Sequence, residues 1–384
     1  MTVGTADQKI VEYVAKTHAF AAVIRGIPIP PHVQERLDRL NIVRAVRGTT
    51  GIEGTELSED EVNEIVQTPR SHRVLPQTRA REEQEVRNAH DLMLYVAQQL
   101  KHSPHSPLTE NLILKFHEIT TQGIDYPHNS PGQYRTFPVH AGTYLPPETG
   151  DDVRRLMAQF IEWFNTGSSK NWDLVIRAIA AHYFVISIHP FGDGNGRTAR
   201  AVESYLLYQA GVNVRGYYSL ANYYYLKRPE YVEMLDHVRF RSDPDLTPFV
   251  AFALQGLVEE LEAVHSEVLS EVRIISFRDF ARETLLMHGK LGTPVGARLL
   301  LFLFGLGQKP ISLKELRAGK HELSSLYKDV TSKTLMRDIN FLRQQELILV
   351  ESDQLRANLA VMTQFTATNS PRYPSVTTQR PSES

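Results

Sequence analysis

The twelve residues from His189 to Arg200, His-Pro-Phe-Gly-Asp-Gly-Asn-Gly-Arg-Thr-Ala-Arg, combine a titratable base, a carboxylate, three glycines, an asparagine and two arginines. That mixture suits chemistry on phosphate. Gly192, Gly194 and Gly196 strip side chains from a loop, so that successive backbone N–H groups can turn inward as a nest for anions. Arg197 and Arg200 are three apart, which on a helix puts them on one face, at an end where the dipole and free N–H groups already favour negative charge. Asp193 is a hard oxygen ligand of the kind Mg²⁺ takes together with substrate phosphates. His189 can exchange a proton near neutral pH.

Other chemically loaded stretches lie elsewhere in the chain. In Thr49-Thr50-Gly51-Ile52-Glu53-Gly54, Thr49 and Glu53 are four apart and Gly54 can close a short helix; alone, the hexapeptide reads as a capped surface turn. Between Pro127 and Pro147 the helical pattern breaks, and Thr136 to Leu145 alternates around a His-Ala-Gly turn. A short exposed β-hairpin holding Val139, His140, Ala141, Gly142, Thr143 and Tyr144 fits, with a plain loop as the rival. Gly216 to Phe240 carries Tyr217, Tyr218, Tyr223, Tyr224, Tyr225 and Tyr231. Such rings, Tyr223 and Tyr224 foremost, can wall a base pocket, although aromatics at helical spacing more often fill a core.

Helices must position these groups. Lys9 to Gln67 is helical in pattern, broken at Ile27-Pro28-Ile29-Pro30-Pro31 where prolines force an extended connector. Thr78 to Leu100 and Leu108 to Ile119 are amphipathic, and Val153, Leu156, Met157, Phe160, Ile161 and Phe164 mark one inward face. Leu174 to Ile188 is apolar nearly all round, so it is expected to be the central helix and to deliver His189 from the core. Pro190 stops that helix, the glycine loop turns, and Arg197 to Gln209 resumes with Val202, Tyr205 and Leu206 inward. Helix, anion loop, helix is the local architecture. No strand precedes the loop, which argues against P-loop and Rossmann placements.

Composition excludes several classes. With 42% apolar and 22% charged residues over 384, the chain is an ordinary globular one with room for two or three domains. It has no cysteine, hence no disulfide or thiolate metal site, in agreement with a reducing cytoplasm. A net charge of −2 gives no whole-chain reason for nucleic-acid or membrane partners. Met1 to Lys9 lacks a signal pattern, and the 15 residues of Leu174 to Ile188 fall short of the roughly 20 that a membrane span needs.

Leu246 to Phe280 reads as one or two long helices forming a linker. Beyond it, Arg298 to Leu306 is a helix, Ser312 opens another with Glu315 in a capping box, and Ser332 to Leu342 forms a third. In the third, Leu335, Ile339 and Leu342 point inward, with Lys333, Arg337 and Arg343 outward. Two β-like runs follow, Leu347 to Glu351 and Leu359 to Thr363. Three helices and a hairpin spell a winged helix-turn-helix, and residues 290 to 365 hold eleven Lys and Arg against seven Asp and Glu. That excess is compatible with phosphate contact by a recognition helix, with a protein-binding or dimerising wing as the rival. Thr366 to Ser384, rich in Ser, Thr and Pro, is expected to be disordered.

His189 to Arg200 resembles the signature of the Fic family: His, any, Phe, any, Asp or Glu, Gly-Asn-Gly-Arg, any two, Arg. Every defined position is matched. Thr49 to Gly54 likewise resembles the family's inhibitory motif, Ser or Thr, any three, Glu, then Gly or Asn, placed N-terminal to the core as in its second class. The resemblance spans residues 10 to about 240. It implies a mainly α fold: an N-terminal helical region with the inhibitory motif (1–68), a helical catalytic bundle with a small β-hairpin flap (69–240), a helical linker (241–289), the winged helix-turn-helix domain (290–366) and a tail (367–384).

The activity implied is transfer of AMP from ATP to a hydroxyl side chain of a target protein, releasing pyrophosphate. His189 would take the proton of the target Ser, Thr or Tyr. The Gly194-Asn195-Gly196 backbone and the Asn195 side chain would hold the α- and β-phosphates, with Mg²⁺ on Asp193. Arg197 would meet the β-phosphate and Arg200 the γ-phosphate. Phe191 would anchor the loop, and the Val139 to Tyr144 flap would pair with the target's backbone by β-augmentation. Glu53 would occupy the Arg200 fork bidentately and exclude productive ATP.

Rival readings keep the site and change the chemistry: removal of AMP with Glu53 orienting water, or transfer from another nucleotide, of phosphate or of phosphocholine. Another makes the chain a DNA-binding regulator with a nucleotide-sensing core. A toxin paired with an antitoxin fits less well, because the inhibitory motif is built in. Expected partners are a target protein, DNA or protein at the wing, no membrane, and a second copy if the chain dimerises; the expected compartment is the cytoplasm.

Overall fold

A computed structural model describes residues 2–102, 105–126, 129–213, 220–240, 245–307 and 309–362. The chain divides into two compact units, Met1–Val268 and Leu269–Ser384.

The first unit is helical: α1 (Gln8–Gly26), α2 (Pro31–Gly51), α3 (Glu59–Gln67), α4 (Ala80–His102), α5 (Glu110–Thr121), α6 (Gly150–Thr166), α7 (Leu174–Ile188), α8 (Asn195–Gln209), α9 (Leu220–Leu226), α10 (Arg228–Arg239) and the start of α11 (Thr247–Met287), which runs on into the second unit. Local chemistry fixes the starts. Asp7, Ser58, Thr109, Thr149 and Asp173 each accept backbone N–H bonds as N-caps, a device worth about 1 kcal/mol per helix. As its apolar surface requires, α7 is sunk in the middle, with Val175, Ala178 to Ala181 and Val185 fully buried. It packs along α8, so the turn between them is held by two core helices. The C-terminal end of α2 lies close on α9: a Cβ at Gly51 would sit 2.4 Å from the Tyr225 ring.

The hairpin expected between α5 and α6 is reduced to a single bridge. Ala141 and Tyr144 exchange N–H···O bonds of 3.1 Å, and no strand extends from them. Pro138, Pro146 and Pro147 flank the bridge and lack the N–H groups that a longer ladder needs.

The second unit contains α12 (Pro294–Leu306), β1 (Ile311–Ser312), α13 (Leu313–Arg317), a 3-10 segment over Glu322–Tyr327, α14 (Ser332–Gln344), β2 (Ile348–Glu351) and β3 (Gln354–Ala357). The strands form one antiparallel sheet in the order β1-β3-β2, with Ile311 and Val350 both opposite Leu355. Leu299, Phe302, Leu303, Leu335, Ile339, Leu342 and Leu355 make its core.

Two local expectations differ here. The second strand is Gln354–Ala357 rather than Leu359 to Thr363: a two-residue turn, with Ser352 at φ 56°, returns the chain at once, and Leu359–Val361 is a 3-10 turn. The Ser312 cap accepts from Glu315 N–H, but the reciprocal arm comes from Asp353, which accepts from the Ser312 hydroxyl at 2.6 Å and from Lys314 N–H. Thr363, the tail from Thr366, Tyr217 and Tyr218 lie outside the described residues. Among the described residues no helix is long and apolar enough to cross a membrane.

Candidate active site

His189 is the C-cap of α7. Its N–H still bonds Val185 O at 3.0 Å, while its own backbone turns left-handed at φ 49°, an uncommon conformation for a residue with a side chain. The imidazole Nδ1 lies 3.1 Å from Ile186 O. A carbonyl can only accept, so the proton of the neutral ring sits on Nδ1 and Nε2 keeps a lone pair. Burial pushes the His189 pKa down to about 4, with the Arg239 charge adding to the effect. At neutral pH the ring is an uncharged base.

The loop after it is built rather than merely flexible. Phe191 is fully buried and stacks on His117, centroids 3.7 Å apart and planes 6° from parallel. His117 accepts from Gly132 N–H on Nδ1 and donates from Nε2 to Asp193 O, both at 3.0 Å, and burial takes its pKa to about 4. Asn195 uses both ends of its amide on Phe191, accepting from its N–H at 2.8 Å and donating to its carbonyl at 2.9 Å. Its side chain thus ties the loop shut, and its backbone N–H remains for an anion. Gly194, at φ 75°, is the cap of α8, and no side chain satisfies the first N–H groups of that helix. A Cβ at Gly194 would meet Thr121 Cγ2 at 2.9 Å. An uncapped, glycine-lined helix start is an anion-binding end.

Arg197 and Arg200 are both nearly fully buried. Arg197 Nη2 pairs with Asp193 Oδ2 at 2.9 Å, and its Nη1 lies 3.5 Å from Glu85 Oε1. Arg200 donates from Nε to the Thr49 hydroxyl (2.9 Å), and from Nη2 to Thr49 O (2.9 Å) and Glu53 Oε1 (2.6 Å). The fork is therefore shared between Thr49 and one Glu53 oxygen, not filled by a bidentate carboxylate: the residue four positions upstream occupies its other arm. Enclosure would raise the Glu53 pKa, but the Arg200 charge and hydrogen bond override it and hold the carboxyl below its ordinary value. Arg228 donates to Ile52 O at 3.0 Å, fixing the segment that carries Glu53.

His189, Glu53, Asp193, Gly194, Asn195, Gly196 and Arg200 line one cavity of about 460 Å³, together with His140, Ala141 and Gly142 of the flap. Among the described residues no three His, Cys, Asp or Glu side chains cluster as a metal site. Glu53 is taken by Arg200, so Asp193 beside the glycine-lined helix start is the carboxylate placed for Mg²⁺, in its usual mode of one or two carboxylates plus substrate phosphates.

Tyr223 and Tyr224 are not cavity walls. Both are buried, Tyr223 against Phe252 and Tyr224 stacked on Tyr231, with the Tyr224 hydroxyl spent on Glu203. Tyr231, Val232 and Leu235 line the cavity instead, because α10 and not α9 faces it. Val139 and Thr143 lie in the flap without lining the cavity. Tyr144 turns away from it, its ring 4.4 Å under the Arg239 guanidinium.

Nothing in the residue pattern marks Arg135. It is 3% exposed and donates to Phe137 O, Pro147 O and His189 O, each at 2.7 Å, while its N–H bonds Pro190 O. One guanidinium thus joins both feet of the flap to the turn that carries His189. Arg135→Ala is expected to lose about 3 kcal/mol of stability, read by denaturant melts, since it strands buried carbonyls and removes charge-assisted bonds.

Residues 107–207 match the Fic/DOC family. Over 121 residues, 32% of this chain, the sequence is 36% identical to protein adenylyltransferase Fic of Drosophila grimshawi and 33% identical to that of Culex quinquefasciatus. The matching segment spans 23% of the Drosophila protein and 22% of the Culex one, so the likeness is to about a quarter of each relative. In fold the chain is similar to a Fic family protein from Desulfovibrio desulfuricans G20 (21% identity, TM-score 0.55, covering 91% of this chain and 96% of that one). It is similar also to residues 134–508 of Fic-1 from C. elegans (24% identity, TM-score 0.56, 68% and 73%). The motif, the helix-loop-helix that presents it and these likenesses agree that the chain carries a Fic domain over residues 107–207.

Proposed function

We infer that the chain transfers AMP from ATP to a hydroxyl side chain of a target protein, and that Glu53 restrains the reaction. The observation that carries this reading is a neutral His189 with Nε2 uncommitted, in one cavity with an uncapped glycine-lined helix start and the buried Arg200, while Arg197 lies behind on Asp193 and Glu85. The acceptor O–H would give its proton to Nε2 as its oxygen bonds to the α-phosphorus, and the bond from that phosphorus to the bridging oxygen breaks to release pyrophosphate. The first N–H groups of α8 would hold the α- and β-phosphates, Arg197 the β and Arg200 the γ. Asp193 would hold Mg²⁺, whose role is to neutralise phosphate charge. The flap would place the target's backbone in register. The names of the relatives support the class of activity. Giving the Glu53→Gly variant ATP labelled at the α- or at the γ-phosphate tests the reading: AMP transfer leaves label on protein from the α position alone, and protein labelled from the γ position would mean phosphoryl transfer instead.

The second unit supports a separate reading as a winged helix-turn-helix. Its element order, α12, β1, α13, α14, β2, β3, with the sheet order β1-β3-β2, supports a helical trio backed by a wing. On α14, Lys333, Arg337 and Arg343 are exposed opposite the buried Leu335, Ile339 and Leu342. If that helix contacts DNA phosphates, changing Lys333 and Arg337 together to Ala should weaken duplex binding and lower the salt slope by about two. An unchanged slope in a filter-binding titration would leave the wing to protein contacts.

A further inference from the structure

Beneath the cavity lies a row of buried polar side chains that this chemistry does not use. His182 of α7 and Glu203 of α8 have essentially no solvent contact, and Tyr224 of α9 stacks on Tyr231 of α10, with centroids 4.6 Å apart. Glu203 Oε1 accepts from the Tyr224 hydroxyl at 2.8 Å. Its Oε2 faces His182 Nδ1 at 3.0 Å, close but not aligned as a hydrogen bond. A carboxylate oxygen offers only lone pairs, so the imidazole proton sits on Nδ1 and Nε2 accepts from the Tyr231 hydroxyl at 2.9 Å. That leaves the remaining lone pairs of the Tyr231 oxygen on the side of Arg200, which lines the same cavity and interacts with it electrostatically without an aligned hydrogen bond.

Apolar side chains would fill this space without the desolvation that a carboxylate and an imidazole require. What the polar row adds is direction. Among the described residues, every aligned hydrogen bond to the Arg200 head comes from one segment: the Thr49 hydroxyl, the Thr49 carbonyl and Glu53. Displacement of that segment removes all three together. The guanidinium, 4% exposed in its residue, would then keep Tyr231 as its partner among the described residues.

We propose that Glu203, His182 and Tyr231 act in series as positioning residues, holding the Arg200 guanidinium aimed into the cavity after Glu53 has left it. The proposal rests on the reading of Arg200 as the γ-phosphate partner. ADP lacks that phosphate, so the comparison of ATP with ADP isolates the role. In a Thr49→Ala, Glu53→Gly background, which removes the Thr49 hydroxyl and Glu53 bonds to Arg200, titration calorimetry on Tyr231→Phe should show ATP affinity lower by about tenfold, with ADP affinity unchanged. Glu203→Gln, which keeps the volume and the Tyr224 bond, should lose ATP affinity in the same direction by less, and stands in if Tyr231→Phe does not fold. Variants that bind both nucleotides like the parent, or lose both equally as a loosened core would, overturn the relay while Arg200→Ala still discriminates against ATP. Should Arg200→Ala itself bind ATP and ADP like the parent, the γ-phosphate reading falls first, and the relay's role with it.

Discussion

Glu53→Gly is expected to raise AMP incorporation from α-labelled ATP at least about tenfold over the unaltered chain, on the scale of one charge-assisted hydrogen bond. The reason is local. Glu53 Oε1 sits 2.6 Å from Arg200 Nη2, inside the cavity and held there by Arg228 on Ile52. An Arg200 occupied in this way cannot also take a phosphate oxygen on the same N–H, so ATP binds only after the carboxylate moves or with its chain displaced. Removal of the side chain frees that N–H but leaves the Thr49 bonds to Nε and Nη2, so the guanidinium keeps its place. The gain should therefore appear in the rate of transfer, while Thr49→Ala in the same background should blunt it. Equal labelling by the unaltered chain and the Glu53 variant, at saturating ATP, would remove the inhibitory assignment. Loss of AMP from a premodified target in the presence of intact Glu53 would point to the reverse reaction.

Much of the site was legible because its chemistry is local in sequence. His189 to Arg200 is one turn and the start of one helix, so residue types and spacing sufficed to expect a base, a nest and two arginines in one place. The helices were legible for the same reason: α7 shows its burial in its own composition. What was not legible depends on contacts across the fold. Arg135 lies 54 residues from His189 and sits in a stretch with no periodicity, and nothing in its neighbours marks an arginine that will be 3% exposed. His117 lies within the amphipathic Leu108 to Ile119 stretch with nothing to single it out, although it is the platform under Phe191. The tyrosines misled because α9 is the more aromatic of two adjacent helices, with Tyr223, Tyr224 and Tyr225 against Tyr231 alone on α10; which helix faces the cavity is decided by packing on α2 and α8, and Tyr231 faces it rather than Tyr223 or Tyr224. The second strand of the C-terminal hairpin starts five residues earlier than expected, because a two-residue turn returns the chain sooner than the apolar pattern suggests.

His189→Ala, made in the Glu53→Gly background, should reduce AMP transfer by about 10²–10⁴-fold, the usual share of a general base, and leave the Kd for ATP unaltered. The split matters, because the imaginable bystander role of His189 is to shape the loop, and a misshapen loop would lose ATP as well. The pH dependence separates the two further. The His189 pKa is pushed down to about 4 from the ordinary 6.5, chiefly by burial, so the basic form persists far into the acid range. Removal of Glu53 takes away a charge that favours the protonated ring, which moves the group no higher. The kcat/KM of the Glu53→Gly variant, which reports the free enzyme, should therefore stay flat from pH 8 down to about pH 5. An acid limb near 6.5 would mean that an ordinary solvent-facing histidine, or another group, carries the proton. The same shift has a stability consequence of fixed sign. A histidine whose folded pKa lies below its unfolded one contributes stability that is present above pH 6.5 and is lost as pH falls towards 4. His117 shares that window, so His189→Ala should remove only part of the acid destabilisation seen in thermal melts, and the remainder should go when His117 is replaced as well.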